Sequence, residues 1–289
     1  RSARALLSRG VFGGAAHASL TGRTPNVESM GSMADAIRWR HRSLLYYGIT
    51  HGAMGKAWTP LSMARAGFER RVIGGELICW HRPAKPSSKA DGAEAAASHP
   101  LVFIHGVGVG PAPYLGFVEA IADAAAPVVV LEIPAVSQRF LASPPPRPER
   151  FCELLDDALD ALGIERAVIA GHSLGSAYAR YYLRHDADAA NRRISGLVLI
   201  DPICCMIHHH KVTRNFVYAP WTSLRAELED YYIKQARRRR RDRTAEIAAR
   251  RLRADMGRLP SQELFTSHII ARHLPWHEAQ LWLEDCTAR

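Results

Sequence analysis

The chain has few cysteines and no two of them spaced as C-x-x-C. Cys79, Cys152, Cys204, Cys205 and Cys286 make an odd total of 5, which reads neither as a disulfide framework nor as a zinc site. They fit better as small buried apolar groups in a reduced, intracellular setting. Long apolar runs are absent too. The most apolar region, Leu101 to Pro134, is broken by Asp123, Glu132, glycines and prolines, which excludes a transmembrane helix there. Carboxylates are missing from Arg1 to Val27, the first being Glu28. That leader has the composition of an organelle transit peptide, though an untranslated or disordered leader would read alike, and no fold is drawn from it. No Lys-Ser or Lys-Thr follows the glycines of Gly106 to Gly110, so this loop is not a nucleotide phosphate loop.

What is present suits one large α/β domain, or one with an inserted cap. The 289 residues are 47% hydrophobic, enough for a sizeable core. The formal charge of +10 comes almost wholly from arginine in an alanine-rich chain, where biased coding composition is a sufficient cause. Only a local cluster argues for an acidic partner, and Arg237 to Arg243 is that cluster. Its successive arginines cover every face of a helix. That suits an anionic membrane surface better than a groove, and no specific nucleic-acid binding is expected.

Along the chain, Ile37, Leu44 and Leu45 among Arg38, Arg40, His41 and Arg42 predict an amphipathic helix between Ser32 and Tyr47. It would dock on the domain or lie on a membrane surface. Arg71 to Ile73 and Glu76 to Trp80, joined by Gly74-Gly75, predict a β-hairpin. Pro83 to Pro100 reads as a surface loop. Buried strands follow at Leu101 to Ile104, Pro127 to Ile133, Ala167 to Ala170 and Ile194 to Ile200, with helices at Tyr114 to Ala125 and Glu149 to Leu162 between them. Near-continuous apolar strands alternating with helices imply a doubly wound, mostly parallel sheet covered on both faces. Beyond Asp201 the texture is helical, with Leu224, Leu228, Tyr231, Ile247, Leu252 and Met256 as a stripe and Ser267 to Leu283 as a further helical stretch. The expected domains are 1–66 as leader and helical extension, 67–205 as core, and 206–289 as a helical cap over the strand ends.

The most specific stretch is Gly171-His172-Ser173-Leu174-Gly175, set between the strand Ala167 to Ala170 and the helix beginning near Ser176. This G-x-S-x-G spacing is that of a nucleophile elbow. A strand turning straight into a helix strains its corner residue and pushes the side chain above the sheet. Glycines two positions either side leave room for the crossing backbone. The hydroxyl then stands at a helix N-terminus, where developing negative charge is favoured.

With His105-Gly106, Leu131 to Pro134 and Asp201 to Cys204 added, the chain resembles the α/β-hydrolase family of the AB hydrolase-1 type from about Phe68 onward. The resemblance implies that Ser173 is the nucleophile and that the amides of Leu174 and Val107 form the oxyanion hole. Gly106, Gly171 and Gly175 would give close backbone approach, with His105 and His172 supporting the loops. No cofactor and no metal is implied. A serine nucleophile suits carboxylic esters, thioesters or lipid acyl groups and argues against the epoxide and haloalkane chemistry of an elbow aspartate. Asp201, at a strand end, is either the triad acid or part of an Asp-Pro turn. The family order is Ser, acid, His, each after a later strand. Here the last histidine, His277, lies in helical texture and the chain stops at Arg289. The expectation is therefore a C-terminally incomplete fold without a placed base, either a weak serine esterase, lipase or thioesterase or a non-catalytic binding protein. His208 to His210 read as a solvated loop, and His268, His273 and His277 remain open as substitutes.

Overall fold

The structure, a computed structural model, describes residues 34–37, 39, 42–84, 99–123, 126–139, 143–188, 192–209, 212, 263–282 and 285–286. The leader, most of the loop before Pro100, the stripe from Leu224 to Met256 and the run Arg237 to Arg243 lie outside these residues.

Six strands form one sheet: β1 (Glu69–Ile73), β2 (Leu77–Arg82), β3 (Leu101–Ile104), β4 (Val128–Glu132), β5 (Ala167–His172) and β6 (Ile194–Ile200), in the order β1-β2-β4-β3-β5-β6. The four from β4 to β6 are mutually parallel. The β1–β2 hairpin turns through Gly74 and Gly75, both at positive φ, and adds two antiparallel strands at the β4 edge. The sheet is thus mixed, with a parallel centre.

Why β3 and β4 read as unbroken apolar runs is plain from their packing. Successive side chains point to opposite faces, and both faces are covered. Val102, Ile104, Val129, Leu131 and Ile169 enter one core with helices α4 (Pro148–Ala161) and α5 (Gly175–Asp188). Leu101, Phe103, Val128 and Val130 enter the other. There they meet Met63 of α2 (Thr59–Arg65) and Val118 of α3 (Leu115–Ile121).

Three elements differ from expectation. The N-terminal helix starts only at Leu44, where Ser43 Oγ accepts from the Tyr46 amide at 3.3 Å. It runs from α1 (Leu44–Tyr47) through a wide π-helical segment, Gly48–Trp58, into α2, with the Thr59 amide reaching back to the Met54 carbonyl. Helix α3 ends at Ile121 because the backbone of Ala122 is already extended, at ψ 140°. The C-terminal helix, α6 (Leu264–Arg272), ends at His273 because Pro275 lacks an amide donor and disfavours helical backbone at Leu274.

Candidate active site

The site is built where the parallel strands end. Strand β5 runs into Ser173 and α5 begins two residues later, with no room for a loop. The backbone answers by putting Ser173 at φ 50°, in the left-handed region that non-glycine residues rarely occupy. The flanking glycines are sterically required. A Cβ on Gly171 would lie 2.6 Å from the Gly175 carbonyl oxygen, and one on Gly175 would strike the backbone oxygen of Ile104 at the end of β3. Such a strained, over-determined corner is a marker of a functional position.

Ser176 ties the corner down. Its hydroxyl donates to the Ser173 carbonyl at 2.5 Å and accepts from the amides of Ile203 at 3.0 Å and Cys204 at 3.4 Å. The Ser173 amide donates to the Ile200 carbonyl at 2.9 Å. This brings the elbow beside Asp201, itself at φ 43°, so two strained residues stand at neighbouring strand ends. Asp201 is exposed. Its charge raises the pKa of His172 somewhat, against the larger effect of burial, which leaves the imidazole below its ordinary value.

The loop after β3 comes directly against this corner. A Cβ on Gly106 would lie 2.9 Å from both the Ser173 Cβ and His172 Nδ1, so only glycine allows the approach. His105 anchors the loop from behind. Its Nδ1 donates to the Gly106 carbonyl at 2.6 Å and its Nε2 accepts from the Ile133 amide at 3.0 Å, which fixes one neutral tautomer. Burial holds its pKa down. The Gly108 amide donates to the Val136 carbonyl at 3.0 Å. Among the described residues the amides of Val107 and Leu174 have no hydrogen-bond acceptor.

The histidines are brought together less favourably. His172 Nδ1 pairs with Tyr114 Oη at 3.0 Å. Neither it nor any other described histidine is hydrogen-bonded to Ser173 Oγ. His208 is exposed, as a solvated loop would have it, but is held by Gln280 Oε1 at 2.9 Å and stacks on Trp282. His268 and His273 face each other at 5.1 Å, and His277 approaches Glu278 at 3.4 Å. Among the described residues no three His, Cys, Asp or Glu gather as a metal site.

Sequence reasoning missed Tyr114, Ser176 and a buried pair under the loop. Glu132, ending β4, accepts from Arg139 Nη2 at 2.8 Å and from Trp80 Nε1 at 2.9 Å. Only Ser176, directly after the motif, had a local signal. The others lie tens of residues from the elbow.

With strand order, elbow and loop in place, comparison with known proteins names the class. Residues 99–284 match the alpha/beta hydrolase fold. The chain belongs to that family. Its solved relatives include a bacterial membrane phospholipase A, 22% identical over 56% of this chain and 48% of that one, with a TM-score of 0.37. Carboxylesterase CesB of Bacillus subtilis is 20% identical over 55% of this chain and 49% of that one, at 0.36. A meta-cleavage product hydrolase variant is 19% identical over 75% and 74%, at 0.43. The match thus spans about half the length of the phospholipase (48%) and of the carboxylesterase (49%). No curated protein matches the sequence.

Proposed function

We propose that this chain carries the acyl-transfer site of a serine hydrolase acting on carboxylic esters, thioesters or lipid acyl groups. Ser173 Oγ would attack the substrate carbonyl. The Leu174 and Val107 amides would receive the oxyanion, and water would then cleave the acyl-enzyme. The observation that carries this reading is Ser173 at φ 50°, clasped between glycines at the strand-to-helix corner. The phospholipase and carboxylesterase among the relatives agree with an ester or lipid substrate.

A second reading, a hydrolase fold that binds acyl compounds without turning them over, has its own support. Ser173 Oγ lacks a histidine partner among the described residues. A serine at its ordinary pKa is a weak nucleophile, and losing the base from such a triad costs on the order of 10⁶ in kcat. A residual rate of about 10³–10⁴ over water is what an intact oxyanion hole alone would leave. Fluorophosphonate labelling and p-nitrophenyl ester turnover separate the readings. Labelling lost in Ser173→Ala supports the nucleophile assignment, and equal labelling of both proteins ends it. Turnover typical of esterases and abolished by Ser173→Ala would reject the binding-only reading. Asp201→Asn should lower that turnover if Asp201 is the acid.

A further inference from the structure

The N-terminal helix is built inside out. The positions it buries are Thr50, Thr59 and Met63, mostly polar, whereas Leu44, Leu45, Ile49, Trp58 and Leu61 face outward. Leu44 is 82% and Leu45 72% exposed, and Trp39, Ile49, Trp58 and Leu61 are each between 40% and 50% exposed. Scattered exposed leucines need no explanation, but a concentration of them along one 44–65 helix does.

The charge around them is one-sided. From Ala36 to Phe68 there is no carboxylate, while Arg38, Arg40, Arg42, Lys56 and Arg65 all fall in that interval. Lys56 and Arg65 are exposed beside the apolar residues. Outward leucine, isoleucine and tryptophan with a basic, acid-free border is the chemistry of a helix lying in a bilayer interface. A second copy of the same face would set like charges against each other, so the charge selects an anionic surface instead.

We infer that the helix of residues 44–65 seats this protein on an anionic lipid surface, with Leu44, Leu45, Ile49, Trp58 and Leu61 entering the interface. The helix also borders the loop that carries Val107: a Cβ on Gly110 would lie 3.7 Å from Thr59 Oγ1. It is thus the buried side of the helix that packs against this loop. The inference does not depend on whether Ser173 turns over.

The test is co-sedimentation of residues 1–289 with phosphatidylcholine vesicles and with phosphatidylcholine–phosphatidylserine vesicles. Binding is expected to the mixed vesicles, weakening with salt. Lys56→Gln should weaken it about fivefold, the effect of one cation at such a surface. Leu44→Ser with Leu45→Ser should weaken it further, at positions whose exposure spares the fold. An unchanged urea midpoint confirms that. Binding to neither vesicle, or equal binding by the leucine variant, overturns the inference. So does loss of binding on neutralising Arg237 to Arg241 with no effect of the leucine variant. A concentration-dependent dimer abolished by the leucine substitutions, without vesicle binding, also overturns it and makes the face a self-association surface.

Discussion

At the scale of single residues, His105 illustrates how a conspicuous histidine can be structural. Both ring nitrogens are engaged, one as donor to Gly106 and one as acceptor from Ile133, and the ring is fully buried. Protonation would place a second donor against the Ile133 amide. Burial lowers the folded pKa, with the Gly106 carbonyl and Glu132 acting more weakly in the other direction. The unfolded chain takes up this proton near pH 6.5 and the folded chain resists it. Stability is therefore complete above that pH and falls as pH drops through it, by at most about 1.4 kcal/mol per pH unit for one such group. Other histidines with lowered values, His51, His81, His172 and His273, add to the slope. Urea unfolding of wild type and His105→Asn between neutral and mildly acid pH is expected to show a flatter dependence in the variant. Equal slopes would mean that the imidazole is protonated without disturbing the loop.

Elements show a second kind of dependence, in which one buried pair joins several of them. Arg139 bonds Glu132 at the end of β4 and the Thr50 carbonyl, at 3.1 Å, in the π-helical segment. Gly55 is needed there because a Cβ would run into the Arg139 guanidinium. Arg139→Ala leaves the Glu132 carboxylate buried with only the Trp80 indole, and a loss of about 3–5 kcal/mol is expected from urea unfolding. Replacing Glu132 and Arg139 together by Leu and Met should restore much of it, since two charges then no longer need each other. A double variant as unstable as the single one would locate the cost in packing instead.

The same elements explain what was legible beforehand. Strands β3 to β6 were readable because both sheet faces are buried and each residue reports that locally. The elbow was readable because its steric demands fall within Gly171 to Gly175. The N-terminal helix was misplaced because its buried side is Thr50, Thr59 and Met63, which leaves no apolar stripe to find. The Tyr114–His172 and Glu132–Arg139 contacts were invisible for a different reason: they depend on tertiary placement and carry no spacing signal. The stripe from Leu224 to Met256 and the arginine run, on which the expected cap rests, lie outside the described residues.

For the molecule as a whole, the open issue is whether residues 67–289 can fold without the extension. Three kinds of contact say that they fold poorly. Met63, fully buried, completes the core that holds Phe68, Trp80 and Phe103. Tyr46 Oη donates to Gln138 Oε1, and Arg139 needs the Thr50 carbonyl. Tyr47 Oη donates at 2.6 Å to Glu263, whose carboxylate also caps α6 through the amides of Phe265 and Thr266. The helix therefore fastens the loop after β4 and the start of α6 together, Glu263 lying 216 positions from Tyr47 in sequence. Removing it empties a core site worth roughly 2–5 kcal/mol by comparison with large-to-alanine substitutions. It also strips acceptors and donors from buried groups, each costing about 1–3 kcal/mol. Against a total of roughly 5–15 kcal/mol for an ordinary domain, that is most of the margin. Expression of residues 67–289 is expected to give a protein that aggregates on size exclusion, or unfolds at a much lower urea midpoint than residues 1–289. A truncated chain with the full-length midpoint would instead make the extension an appendage, and its outward leucines would then have no core to orient them.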